Sequence, residues 1–378
     1  MSRRLAGRAG RLGLATVFVA ALLAGCASSE RAKPVALEPL TPQIAGRQVW
    51  SQRLDAVNFP LTVAVRAGRF HVAGDDGTVL ALDAASGREL WRGQAGGKLS
   101  AGVGSDGRYA AVVTRDSELV VLDAGAVVWR AKLDAKVATA PLVAGERVFV
   151  LGVDRVVHAF DVLDGRRLWL LKRPGDALTL SQSGVLAAYQ DTLLVGQGPR
   201  LLGVDPLKGT VRWEVPVTTP RGTNEVERLA DLVGPASRAG SVFCVRAFQA
   251  AVGCVDAERG SLRWTQLVGG TQAVAGDDDL VVGADGSDRI TARRRGQGDI
   301  AWTSERLLNH GLSAPVVMGK TVVFGGQDGT LHFLSRDTGA PLLRLNTDGS
   351  RIAAPPVLAD NTLLVVTRQG GVLAFRPE

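Results

Sequence analysis

The chain is poor in the residues that usually carry chemistry. Of 378 residues four are histidine and three are cysteine, with no two cysteines adjacent. The histidines, at 71, 158, 310 and 332, are scattered along the sequence and show none of the close spacings that metal sites use. There is no nucleophile elbow and no P-loop, which removes the motif-bearing hydrolase classes. Aromatic residues make up only 5%, yet seven are tryptophan against two tyrosines. That skew points to one structural position used repeatedly. Beyond Cys26 no stretch keeps a helical period, so the fold is expected to be all-β.

The apolar run Leu12–Ala24 is 13 residues long, too short to span a bilayer as a helix. Behind Arg3, Arg4, Arg8 and Arg11 it reads as the apolar part of a secretory signal. It ends in Leu23-Ala24-Gly25-Cys26, which resembles a bacterial lipobox, and Ala27 rather than Asp follows. The expectation is cleavage before Cys26, acylation of that residue, and export to the outer membrane, where two or more acyl chains anchor stably. Removing four arginines from a net charge of +7 leaves +3, so nucleic acid is not expected as a partner. The densest remaining basic spot, Thr291–Gly298, reads as a solvated turn.

What the chain does have is a phrase. "ALDAASGRELW" (81–91) returns as "HAFDVLDGRRLW", "LGVDPLKGTVRW" and "GCVDAERGSLRW". Tryptophans stand at 50, 91, 129, 169, 213, 264 and 302, in steps of 38 to 51 residues. A further step of 41 reaches Leu343, with Gly339 four residues before it as Gly87 is before Trp91. A period near 42 containing several short strands predicts a propeller of four-stranded blades. Seven blades end at Trp91 through Leu343. The tail from 344 lacks a final strand, and Gly46–Leu54 is a final strand without a blade. Pairing them gives an eight-bladed β-propeller with no open edge. The expected organisation is a signal peptide at 1–25, a lipidated N-terminus and Pro-punctuated linker at 26–45, and the propeller at 46–378.

Within the phrase, Trp is expected to bury surface between blades, and the Asp eight residues earlier to cap turn amides. "GVGSDG" (102–107) leads into a strand, so it is read as a propeller turn and not a dinucleotide site. "GDDD" (276–279) is read as a surface turn, because a cation site needs ligands from several directions. Cys244 and Cys254 flank a short turn between two strands. They could form a disulfide in an oxidising compartment or remain two small buried thiols. The longest step, from Trp213 to Trp264, carries an insertion in "PVTTPRGTNEVERLADLVGPASRAG" (216–240), and long excursions from a rigid scaffold are where binding tends to reside.

The A-x-D-x-x-x-G-x-x-x-W repeats resemble the PQQ-type propeller repeat. The lipobox with "EVERLAD" (225–231), "SERLLNHGLSAPVV" (304–317) and "GTLHFLSRDTG" (329–339) resembles, more specifically, the BamB family of outer-membrane assembly lipoproteins, over essentially the whole chain. That resemblance implies a non-catalytic scaffold without a cofactor. It also implies binding to the periplasmic POTRA domains of BamA within the Bam complex, and unfolded outer-membrane proteins as further candidate clients. One family contact pattern, L-x-L-R, falls on Leu178, Leu180 and Ser181, where the Arg is missing. A second, R-L-x-D-x-D, falls on Arg228, Leu229 and Asp231, with Val233 in place of the second acid. The partner surface is therefore expected to be less polar than the family's, or shifted along these loops. Two other classes stay open from sequence: a quinoprotein dehydrogenase, and a surface lipoprotein that binds a ligand such as carbohydrate. The first is disfavoured because such enzymes are longer and use adjacent cysteines.

Overall fold

A computed structural model describes residues 32–173, 178–220 and 222–377. The expected signal peptide and the expected acylation site, Cys26, lie outside the described residues. Within them, regular structure consists of 32 strands in eight four-stranded antiparallel sheets. Consecutive strands build blades 1 to 7, over residues 64–94, 99–132, 142–171, 186–216, 232–267, 275–304 and 316–346. Blade 8 takes Val357–Ala359, Thr362–Val366 and Gly371–Pro377 from one end of the chain and Gly46–Arg53 from the other. Gly46 pairs with Pro377 and Arg53 with Gly371. Innermost strands touch in sequence order, and that of blade 8 touches that of blade 1, closing the ring. The eight-bladed β-propeller read from the tryptophan spacing is the fold observed.

Burial follows position in the blade. In blade 5 the two middle strands, Val242–Ala247 and Ala251–Asp256, are buried at every residue, because neighbouring blades cover both faces. The outer strand Ser261–Leu267 buries only Trp264. Continuous apolar runs therefore mark middle strands, and a lone Trp among exposed residues marks the outer one.

Each Trp reaches forward to the next blade. The Trp129 indole N–H donates to the Val162 carbonyl at 2.7 Å, and its ring lies over Gly165. A Cβ on Gly165 would sit 2.6 Å from that ring, and its φ of +73° also favours glycine. The same pairing joins Trp50 to Gly87, Trp169 to Gly209, Trp213 to Gly260, Trp264 to Gly298 and Trp302 to Gly339. The Gly of each phrase thus receives the preceding blade's Trp, and Leu343 takes the equivalent place over Gly46. The aspartates cap turn amides: Asp83 accepts from Ser86 N, Asp161 from Leu163 N, Asp205 from Leu207 N, and Asp256 from Glu258 N.

Several sequence readings change in the folded chain. Within Thr291–Gly298, Arg295 is buried, 4% exposed, and donates to Ser237 O and Oγ and to the Asp277 carbonyl. The run is therefore a solvated turn only in part, because one arginine folds inward as a strut between blades 5 and 6. The histidines are not all apart either: His310 and His332 stand with ring centroids 5.8 Å apart. "GVGSDG" is mostly strand, since Leu99–Ser105 holds its first four residues. In "GDDD", Asp277 does cap the turn, accepting from Asp279 N and Leu280 N. Cys244 and Cys254 are cross-strand partners joined by a disulfide.

The expected linker is attached to the propeller from Val35 onward. Val35 N donates to Leu308 O, Glu38 pairs with Arg306 at 2.6 Å, and Gln43 N donates to Leu342 O. Leu37 packs on the core between blades 6 and 7, and Ile44 on that beside Leu343. This strap crosses the interface where Leu343 replaces the bulkier Trp.

The antiparallel order defines two faces. Turns between first and second strands, and between third and fourth, open on one face, which therefore carries the repeated Asp–Gly phrase. Turns between second and third strands open on the other, together with the crossovers from blade to blade.

Candidate functional site

Both expected contact segments are crossovers on this second face. Residues 172–185 link blades 3 and 4, and residues 217–231 link blades 4 and 5. The 216–240 excursion shortens accordingly, because Leu232–Ala239 is the inner strand of blade 5.

Asp231 joins the two crossovers. Its Oδ2 accepts from Leu180 N at 2.8 Å, and its Oδ1 pairs with Arg155 Nη2 at 3.1 Å, with both side chains 16% exposed. The same Arg155 nitrogen donates to the Leu178 carbonyl at 3.1 Å. Thr179 Oγ1 donates to Val153 O, and Gln182 Nε2 to Thr271 O, so blade 3 and the crossover between blades 5 and 6 hold the first segment. The second segment starts in a one-turn knot. Glu227 N donates to Asn224 Oδ1, and the Glu227 carboxylate accepts from Thr223 N, Thr223 Oγ1 and Asn224 Nδ2. Those bonds, led by the Thr223 amide, hold its carboxyl below the usual range.

Of the six expected contact residues, Leu178, Ser181 and Arg228 are exposed, whereas Leu180, Leu229 and Asp231 are half-buried. Between the crossovers lies a groove of about 720 Å³, lined by Arg155, Arg173, Arg200, Glu214, Arg228 and Asp231 among others. Arg173 and Arg200 each bond Glu214 at 2.7 Å. Burial pushes the Glu214 carboxyl up, but these two hydrogen bonds outweigh it and leave it below the usual range. The groove is thus a mixed-charge trough with an apolar rim at Leu178. Among the described residues no group of three or more His, Cys, Asp or Glu is placed to hold a metal ion. Sequence reasoning missed Arg155. Its one local sign is a charged residue in a tight turn with φ of +64°, where glycine or asparagine is usual.

The family model described as "Outer membrane protein assembly factor BamB" matches residues 35–98, 75–304 and 303–378. The Burkholderia pseudomallei protein of that name is 35% identical, over 94% of this chain and 95% of its own. The chain belongs to the BamB family. The crystal structure of BamB from Moraxella catarrhalis superposes with a TM-score of 0.79 at 23% identity, covering 88% of this chain and 99% of that one. A quinohemoprotein alcohol dehydrogenase from Comamonas testosteroni aligns with a TM-score of 0.65 at 16% identity, over 88% of this chain and 76% of its own. That likeness shows a shared fold alone. BamB relatives are named as assembly factors, and the crossover site of this member is built from the segments that their resemblance singled out.

Proposed function

We propose that this chain is a non-catalytic scaffold of the outer-membrane β-barrel assembly complex, which holds the periplasmic POTRA domains of BamA against its crossover face. The observation that carries this reading is the Asp231 carboxylate. It fastens two segments 51 residues apart into one surface, and each resembles a BamB contact pattern in part. Leu178 and Arg228 are the exposed contacts on that surface. Leu180 and Asp231 position them, and Ser181 leaves a less polar edge than an arginine would. Acylated Cys26 is the anchor in this reading, placing the propeller at the periplasmic side of the outer membrane.

The test is a pull-down of the tagged, membrane-anchored chain from detergent-solubilised outer membranes, read by mass spectrometry. BamA is expected to co-purify with the wild type and to fall at least about tenfold with Leu178→Arg, since a charge would enter an apolar contact. The melting temperature of that variant is expected to stay within about 2 °C, because the side chain is 36% exposed. Undiminished BamA recovery would remove Leu178 from the interface.

A further inference from the structure

The ring axis holds a passage with a distinctive lining. A cavity of about 300 Å³ opens on the crossover face, and one of about 410 Å³ continues along the inner strands. They adjoin at Ser183 and Pro355, which line both. The walls of the deeper part are largely small or aliphatic, including Val63, Leu142, Leu186 and Val357. Among the described residues no aspartate or glutamate lines either cavity, although the chain carries 37 acidic residues. Arginines stand at the ends: Arg351 and Arg368 in the outer cavity, Arg66 and Arg238 in the deeper one. Arg238 is held over the Tyr189 ring at 5.0 Å and donates to the Gly240 carbonyl. Among the described residues the Arg66 guanidinium bonds only its neighbour's carbonyl, at Val65. The Arg351 and Arg368 guanidinium groups make no side-chain hydrogen bond or ion pair with the described residues, and both are exposed.

A passage with a polar outer mouth, an apolar inner part, cations at its ends and no carboxylate among the described residues of its wall suits one ligand chemistry. We propose that the axial channel binds a small anionic amphiphile: an acidic headgroup paired with Arg351 and Arg368, and an apolar body in the channel. Ligand sites are commonly apolar cavities with a few convergent polar groups, and a guanidinium pairs well with carboxylate or phosphate. Val233 contributes to this selectivity. It is 4% exposed, lines the outer cavity, and occupies the position where the BamB contact pattern carries a second acid. An aspartate there would repel the headgroup.

The experiment uses the purified chain and anilinonaphthalene sulfonate, an anionic apolar dye whose emission rises in apolar surroundings. The expected result is saturable one-site binding, displaced by decanoate or decyl phosphate but not by decyltrimethylammonium. Which of the two acids displaces better identifies the headgroup. Arg351→Gln with Arg368→Gln is expected to weaken dye binding about tenfold, the scale of losing a charge-assisted hydrogen bond at an exposed site. Val233→Asp is expected to weaken it further; the exposed arginine pair keeps the test decisive if that buried change unfolds the blade. Binding unchanged in the arginine variant, equal displacement by the cationic amphiphile, or displacement by unfolded polypeptide alone would overturn the proposal.

Discussion

Trp129→Ala is expected to lower the stability of the propeller by about 3–5 kcal/mol, the range for removing a large aromatic from a packed site. For a domain of this size that is a fall on the order of 5–10 °C in melting temperature. Three losses combine: the buried ring, its contact with Gly165, and the bond from the indole to the Val162 carbonyl. Trp129→Leu should cost less, since Leu343 already serves at the equivalent site of blade 7. Trp91 supplies the internal comparison. The turn it meets in blade 2 has two fewer residues between Asp123 and Trp129, and among the described residues its indole has no hydrogen-bond acceptor. Trp91→Ala should therefore cost measurably less than Trp129→Ala. Calorimetry or circular dichroism melting of the three variants checks the ranking; equal melting points for Trp129→Ala and wild type would refute the joint described above.

Asp231→Ala should have the largest effect on partner binding, and it acts through position. Without the carboxylate, Leu180 N loses its acceptor and Arg155 its counter-ion, so both crossovers are released from each other. The expected result is a loss of at least about tenfold in BamA capture, with faster amide exchange across residues 178–184 and a melting temperature lowered by only a few degrees. Asp231→Asn should fall between, because a neutral oxygen can still accept from Leu180 N while the ion pair is gone. Lost binding with unchanged exchange in 178–184 would instead make Asp231 a direct contact.

The architecture was legible because each blade repeats one packing solution. A Trp that must meet a glycine on the next blade leaves a mark every 38 to 51 residues, and that mark survives the change to Leu343. The site was legible only where the repeat is interrupted, in the long step before Trp264, and where residues match a known contact pattern. Arg155 lay hidden because its partner is 76 residues away on another blade's crossover. Arg295 lay hidden because a basic run looks solvated, and only the three-dimensional path shows that its third arginine turns inward to carbonyls 58 residues distant. The strap from Val35 reads as a linker by its prolines. Its contacts, such as Glu38 with Arg306, span 268 residues and leave no local trace.

In the proposed assembly the crossover face, and not the opposite one, meets BamA. Photo-crosslinking tests it most directly, with benzoylphenylalanine placed singly at Leu178 and Arg228 on the crossover face and at Leu163 in the blade 3 turn on the other. Leu163 is 68% exposed, so it is fully available to report a partner. BamA adducts are expected from positions 178 and 228 and none from 163. Adducts from 163 with none from 178 or 228 would contradict that assembly.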